Sequence, residues 1–184
     1  MSSAQLTPEQ AKFVLDQAIP TIKTEHQMTK RVIESIPLDK GSYRPDAISK
    51  TALELAWHIV ASEKRFANAV AAGTFDFTPI NRPDAVRNSA DIAVWWDEST
   101  ASIVQQLEKL NGEQLAKIID FRGILQLPAV TFLRLMMSHT IHHRGQLSMY
   151  LRPMGAKVPA IYGESYDTAQ ARLAKEGNTG QAAV

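Results

Sequence analysis

Cysteine is absent from the 184 residues, and its absence excludes several classes of protein. A chain without cysteine forms no disulfide bonds, thiolate zinc sites or iron–sulfur clusters, and it has no cysteine nucleophile. Any metal ion must therefore be bound through nitrogen or oxygen atoms. The length predicts a single domain, spanning 1–184, that buries about two-thirds of its unfolded surface without cross-links.

The sequence also lacks a strong excess of either charge. Twenty basic residues against nineteen acidic ones give a net charge of +1, whereas nucleic-acid binders usually present a strongly basic face. No apolar run approaches the roughly 18–20 residues that span a bilayer, and the first residues lack the basic start and apolar segment of a secretory signal. We therefore expect a cytoplasmic protein without nucleic-acid or membrane partners.

What the sequence contains is a pattern of amphipathic helices. Thr7 and Gln10 have capping-box spacing at the start of the first helix, which Pro20 should kink or divide. The predicted helices cover about 8–36, 49–72, 89–110, 128–153 and, in a shorter segment, 166–175. A short extended or hairpin segment is expected over 118–127, and a flexible tail from about 177. Four long helices favour an all-α fold, a four-helix bundle.

Three of the five histidines lie within one helical segment, at positions 139, 142 and 143. Residues four apart on a helix stand above one another, so His139 and His143 can direct their imidazoles at one ion. His142 points nearly to the opposite side and is expected at the surface or at an interface. The alternative for the pair is that clustered imidazoles cap or bridge neighbouring helices.

A third histidine strengthens the metal interpretation. His58 lies at the border of the second helix's apolar stripe, and it completes a set of three nitrogen ligands if the second and fourth helices are neighbours. The alternative is a hydrogen-bonded core histidine. Three imidazoles leave one to three positions open to water or substrate, as catalytic sites do. Nitrogen ligands suit zinc, nickel, copper or iron(II), of which we favour zinc or nickel.

Other polar side chains fall on predicted apolar faces. His26 lies near the centre of the first helix's stripe, as a hydrogen-bonded core residue, a pocket wall or a fourth ligand, in that order. Arg144 falls inside the apolar face of the fourth helix and needs a carboxylate partner, for which Glu54 and Glu63 are candidates. Glu54 could instead orient His58, and a solvated position is the alternative for both glutamates.

Two side chains, Gln146 and Tyr150, share the flank of the fourth helix with the histidine pair. They could line a pocket and orient a substrate. The adjacent Trp95 and Trp96 should place one ring in the core and one at its edge, for which core packing is a simpler explanation than a dimer surface.

Three motifs together resemble those of one known family. They are Tyr43-Arg44-Pro45 before the second helix, His58 followed by Glu63 and Phe66, and the run from His139 to Gly163, which includes His-His-Arg-Gly-Gln-Leu. These motifs cover about a third of the chain, and they resemble the DinB family of DinB/YfiT-like helical bundles. Residues from about 73 to 128 match no motif, and substrate-determining loops are expected there.

The resemblance implies a four-helix bundle of the DinB/YfiT-like type with a metal site on His58, His139 and His143. It also implies a homodimer. The chemistry of the family is mixed: some members resemble S-transferases or isomerases that depend on a low-molecular-weight thiol, and others metal-dependent hydrolases. The family name refers to expression after DNA damage and gives no reason to expect DNA binding.

The leading hypothesis is a metal-dependent enzyme that joins a low-molecular-weight thiol to an electrophilic small-molecule substrate. Because the chain has no cysteine, the sulfur would come from a diffusible cosubstrate. Hydrolysis by metal-activated water is the second hypothesis, since a bound ion lowers the pKa of coordinated water or thiol. The competing classes are a non-enzymatic metal-binding or stress-response protein and a helical scaffold with polar core histidines.

Overall fold

Helices account for most of the chain in the computed structural model, which describes residues 5–181 and the side-chain environments of 5–176. The elements in chain order are α1 (Pro8–Glu34), α2 (Ala52–Ala72), α3 (Ser89–Glu108), α4 (Gly112–Ala116), β1 (Ile118–Phe121), β2 (Leu125–Pro128), α5 (Thr131–Leu151) and α6 (Tyr166–Gln181). The protein is therefore mostly helical. It is not purely so, because β1 and β2 form an antiparallel hairpin in the segment where the sequence predicted an extended or hairpin structure.

Side-chain caps fix where the first two long helices begin. Thr7 and Gln10 form the predicted capping box of α1, and Thr51 and Glu54 form that of α2. In each box the side chains accept hydrogen bonds from backbone amides that have no partner within the helix. The helix α2 ends at Gly73, whose φ of 69° is a left-handed conformation that glycine adopts without strain.

The structure excludes one of the two effects expected of Pro20 and moves the end of α3. Pro20 does not divide α1, which continues through it as one helix, and Pro20 lies on the exposed side, where water can hydrogen-bond the carbonyl left without an amide partner. The helix α3 ends at Glu108, before the predicted end at 110, and the side chain of Asn111 accepts a hydrogen bond from the Gln114 amide at the start of α4.

The C-terminal helix is longer than predicted. The helix α6 extends to Gln181 and does not end near Lys175. The flexible tail was predicted from about residue 177. The side chains from 177 on, and the backbone beyond 181, lie outside the part of the chain that the structure describes. No helix within the described part of the chain is both long enough and apolar enough to cross a membrane.

The four long helices pack in a ring. The helix α1 contacts α3 and α5, and α2 contacts the same two helices. The short α4 packs on α1, and β2 contacts α5. Because α2 and α5 are direct neighbours, the condition for bringing His58 to the histidine pair is met.

Two apolar clusters fill the space between the helices, separated along them by buried polar side chains. The first cluster includes Leu15, Phe132 and Met136, and the second includes Ile59 and Leu147. On each long helix, polar residues occupy the positions between the two clusters. We call this set the polar layer; it comprises Glu25, His26, Thr29, Glu63, Thr100, Thr140 and Arg144. Buried polar groups need partners, so the layer constrains how the helices pair.

Candidate metal centre

Three histidines from α2 and α5 meet beside the polar layer. One ring nitrogen each from His58, His139 and His143 lies within 4.8 Å of the other two, and the Nε2 atoms of His58 and His143 are 3.2 Å apart. Two nitrogen ligands of a tetrahedral zinc ion, each about 2.0–2.1 Å from it, are separated by about 3.3 Å. The three side chains selected from the sequence therefore lie at a spacing that one ion could bridge.

Gln146, one turn further along α5, orients His143. The Nδ1 atom of His143 lies 2.7 Å from Gln146 Oε1. An amide oxygen only accepts, so Nδ1 carries the proton and Nε2 directs its lone pair toward His58. The Gln146 amide nitrogen donates in turn to Nε2 of the exposed His142 at 3.2 Å. Metal-ligating histidines usually donate their second nitrogen in this way, which fixes the tautomer and the ring orientation.

The three rings are half-buried and in mutual contact, with centroids 4.4 to 4.9 Å apart. Burial, together with the smaller effect of the neighbouring His143, lowers the pKa of His58 and of His139 to about 4. Both imidazoles are therefore neutral near pH 7, in the form that binds metal ions. The Nδ1 atom of His139 is buried without a hydrogen-bond partner among the described residues. This donor set fits a nitrogen-bound transition metal ion.

Two clefts give access to the histidines. The first, of about 570 Å³, is lined by His58 and Trp57 among others, and we call it the His58 cleft. The second, of about 610 Å³, is lined by His143 together with Gln146 and Tyr150, and we call it the His143 cleft. The two side chains predicted to line a pocket thus both face the second cleft.

His26 lies outside the three-histidine group, in the polar layer between α1 and α3. It is 5% exposed, its Nε2 is 2.7 Å from Asp97 Oδ1, and its Nδ1 is 3.1 Å from Thr100 Oγ1. Burial lowers the pKa of His26, and the hydrogen bond to Asp97 opposes that effect. Of the three expectations for His26, the structure places it as a hydrogen-bonded core residue that also borders a cleft between α1 and α3.

Arg144 pairs with Glu25 of α1, and the predicted partners Glu54 and Glu63 are wrong. Its Nη1 lies 2.6 Å from Glu25 Oε2 and 3.2 Å from Thr29 Oγ1, so the side chain leaves α5 toward α1 and not toward α2. The sequence contains a signal for Glu25 that was missed. Glu25 interrupts the apolar stripe of α1 four residues before Thr29, and a carboxylate inside such a stripe indicates a buried ion pair.

Tyr162 completes this ion pair from the segment that follows α5. Its hydroxyl donates to Glu25 Oε2 at 2.9 Å and accepts a hydrogen bond from Nη2 of Arg144. Burial and the hydrogen bond to Glu25 raise the pKa of the Tyr162 hydroxyl. The residue is 67% exposed, but its ring lies under the guanidinium of Arg144, whose Cζ is 5.0 Å from the ring centroid.

Glu63 is buried and neither solvated nor paired with arginine. It is 6% exposed, and it accepts hydrogen bonds from Trp96 Nε1 and Thr140 Oγ1, each at 3.2 Å. Burial raises its pKa to about 7. Trp96, which donates a hydrogen bond to Glu63 Oε1, is the buried member of the tryptophan pair. Trp95 is half-buried, as the sequence predicted.

A comparison with protein-family models identifies the family. The model described as DinB family matches residues 9–178, which include all three histidines and every motif quoted for the resemblance. The chain belongs to the DinB family. The resemblance inferred from the sequence is thereby confirmed.

Two relatives from Bacillus subtilis (strain 168) are similar to this DinB-family chain. The uncharacterized protein YjoA is 30% identical over 142 residues, 76% of this chain and 90% of YjoA. The uncharacterized protein YrdA is 26% identical over 153 residues, 81% of this chain and 88% of YrdA.

Solved structures agree with these matches. The crystal structure of the DinB-like YjoA superposes with a TM-score of 0.66 at 30% identity, covering 81% of this chain and 99% of that one. A DinB-like protein from Bacillus cereus ATCC 10987 superposes with a TM-score of 0.67 at 23% identity, covering 80% and 97% of the two chains. The second likeness supports the fold alone.

Proposed function

We propose that this DinB-family protein is a metal-dependent enzyme whose divalent ion, zinc or nickel, is bound by His58, His139 and His143. The observation that supports this most directly is the convergence of three ring nitrogens between two open clefts. A structural zinc site normally has four protein ligands, whereas three leave a position for an exchangeable molecule. We propose the DinB/YfiT-like four-helix bundle as the framework; the homodimer and the cytoplasmic location stay predictions.

The reaction that we propose joins a low-molecular-weight thiol to an electrophilic small molecule. When bound, the ion would lower the pKa of a coordinated thiol and polarise the electrophile. The residues of the chain position the reactants: Gln146 holds His143 in one tautomer, and the rings of Tyr43 and Tyr150, 5.7 Å apart and edge to face, form a wall of the His143 cleft. The cosubstrate supplies the sulfur, since the chain has no cysteine.

The metal content of purified protein tests the first part of this proposal. After growth with zinc and nickel available, we expect about one equivalent of metal per chain, measured by inductively coupled plasma mass spectrometry. The variants His58→Ala and His143→Ala should lose it, whereas His142→Ala, which changes an exposed histidine outside the group, should keep it. Wild-type protein without stoichiometric metal would refute the proposal.

Turnover by the metal-loaded protein tests the second part. We expect a panel of small thiols and electrophiles to give a product whose formation requires both thiol and metal, and which His58→Ala abolishes. Turnover without thiol would replace the transferase assignment by hydrolysis. Bound metal with no turnover on the panel would favour the non-enzymatic metal-binding class.

A further inference from the structure

The His58 cleft concentrates positive charge. Its lining contains one carboxylate, that of Glu54, and four cationic side chains, which are Arg44, Lys50, Arg65 and Arg82. The chain as a whole has a net charge of only +1. The cations are therefore gathered at this cleft and are not a sample of a generally basic surface.

The protein compensates the charge of these cations only in part, since Glu54 interacts electrostatically with Arg44 and Lys50, and Asp76 with Arg65. Within residues 5–176, no carboxylate forms a salt bridge with Arg44, Lys50 or Arg82. The carboxylate of Glu54 accepts a hydrogen bond from the Thr51 amide at 2.8 Å as part of the α2 cap. Unpaired charges of one sign around a concave site raise the local concentration of ligands of the opposite sign.

Arg65 has a fixed side chain and a free hydrogen-bond donor. Its Nη2 donates to the carbonyl oxygen of Thr78 at 3.0 Å, which ties α2 to the loop that follows it. Its Nε is buried and has no hydrogen-bond partner among the described residues. A buried donor without an acceptor is unfavourable, so the guanidinium of Arg65 is short of one hydrogen-bond partner. Guanidinium groups bind carboxylate and phosphate oxygens with favourable geometry.

The His143 cleft has a different chemistry, because its walls are largely apolar and aromatic. Tyr43, Met149 and Tyr150 line it, and Lys50 borders both clefts. A molecule that spans the two clefts past the histidines would therefore meet cations at one end and aromatic rings at the other.

We infer that the His58 cleft binds the anionic group, a carboxylate or a phosphate, of a small molecule whose apolar part lies in the His143 cleft. The role of this molecule as substrate or cosubstrate rests on the proposed function. The candidate metal centre gives a second reason to expect an anionic ligand. Three neutral imidazoles leave the charge of a divalent ion uncompensated, and no carboxylate joins the three-histidine group among the described residues. Binding of the anion by the cleft itself requires no metal.

Calorimetric titration of the metal-free, full-length protein tests this inference. The probes are inorganic phosphate, phenyl phosphate, 4-phenylbutyrate and its uncharged counterpart 4-phenylbutyramide. We expect saturable binding of one or both aromatic anions, weaker binding of inorganic phosphate and none of the amide. The ranking of the two aromatic anions distinguishes a phosphate from a carboxylate ligand.

Charge-reversal variants locate the binding. The variant Arg44→Glu/Arg82→Glu should lower the affinity for the aromatic anion at least about tenfold, since each exposed charge contact contributes a fraction of a kcal/mol and four units of charge change. The control Lys109→Glu/Arg134→Glu makes the same change of charge at exposed positions outside the cleft, and should alter the affinity less than about twofold. Both variants change exposed side chains, so circular dichroism should show intact folding.

Three results would overturn the inference: no binding of any anion, equal binding of the amide, or an equal loss of affinity in the control variant. The metal content of the same preparations keeps this test separate from that of the proposed function. Protein that binds the anion but holds no metal retains the anion site and loses the metalloenzyme. Protein that holds metal but binds no anion supports the metal site and overturns the anion site.

Discussion

At the scale of single residues, burial and neighbouring side chains affect the charge of each ionisable group in and beside the polar layer differently. Burial keeps His58 neutral and moves the pKa of Glu63 to about 7, whereas Glu25 is held against the guanidinium of Arg144. Two carboxylates buried in the same layer therefore serve different purposes. Removing the charge should stabilise the protein at Glu63 and destabilise it at Glu25.

The substitution Glu63→Gln should make the protein more stable above pH 7. A carboxyl group whose pKa rises from 4.5 to about 7 on folding favours the folded state fully below pH 4.5, and this contribution is lost as the pH rises through 7. Glutamine keeps the shape, can accept from Trp96 and can donate to Thr140. We expect the two proteins to have equal free energies of unfolding near pH 4.5, and that of the variant to be higher by about 2–3 kcal/mol at pH 8.

Urea unfolding of both proteins between pH 4.5 and 8.5 checks this expectation. Other titrating groups, including His58 and His139, contribute almost equally to the two proteins and cancel in the difference. A difference in unfolding free energy that does not change with pH would show that folding leaves the pKa of Glu63 unshifted.

The substitution Gln146→Ala should weaken metal binding by about 10–100-fold, the usual effect of removing a partner that orients a metal-binding histidine. The reason is that His143 Nδ1 loses its acceptor at 2.7 Å, so the ring can rotate and change tautomer. Gln146→Glu retains an acceptor and should bind metal at least as tightly as the wild type. Competition with a chromophoric chelator measures all three affinities, and wild-type affinity in Gln146→Ala would contradict this role.

At the scale of the elements, α5 shows what could be predicted from the sequence and what could not. The spacing of its apolar residues revealed its faces, and thereby placed His139 and His143 together and Arg144 in the interior. Periodicity describes one helix at a time, however. The identity of the partner of Arg144 depends on which helix lies beside that face and at what height, and this is why Glu25 was missed.

The same limit explains the other errors at this scale. The cap formed by Thr7 and Gln10 was predicted because the two residues are only three positions apart. The hydrogen-bond partners of Glu63 lie on α3 and α5, far away in the sequence, and they were not predicted. The continuity of α1 through Pro20 depends on that residue facing solvent, which is a property of the packed molecule.

Replacing Glu25 by leucine should destabilise the protein by about 3–5 kcal/mol, because it leaves the buried guanidinium of Arg144 without its counter-charge. The double substitution Glu25→Leu/Arg144→Met removes both charges and should recover most of the loss. Lys12→Ala, which removes a salt bridge to Asp16 between largely exposed side chains, should cost less than about 1 kcal/mol. Urea unfolding at pH 7 gives the three values; a double variant no better than the single one would contradict the account.

At the scale of the whole molecule, the candidate metal site joins parts of the chain that are far apart in sequence. His58 and His143 are 85 positions apart, and they meet because α2 and α5 are neighbours in the ring of helices. A bound ion would cross-link two helices that no disulfide joins, since the chain has no cysteine. Thermal unfolding should therefore report metal binding even in the absence of an activity assay.

Zinc added to metal-free protein at about 100 times its dissociation constant should stabilise the fold by about 2.7 kcal/mol, which raises Tm by roughly 5–11 °C for a domain of this size. His58→Ala should show no such shift, and EDTA should reverse it in the wild type. Differential scanning calorimetry provides the measurement. An equal shift in His58→Ala would place the zinc elsewhere.

The ion pair in the polar layer also controls the rotational phase of α5. His143 and Arg144 are consecutive residues that reach different neighbours, α2 and α1, and one residue corresponds to about 100° of turn about the helix axis. Only one angular setting of α5 satisfies both. A one-residue insertion or deletion between His139 and Arg144 would therefore misdirect a histidine and the arginine together, although substitutions on the exposed side of the same helix leave the phase unchanged. The spacing of this segment is thus constrained as strongly as its composition.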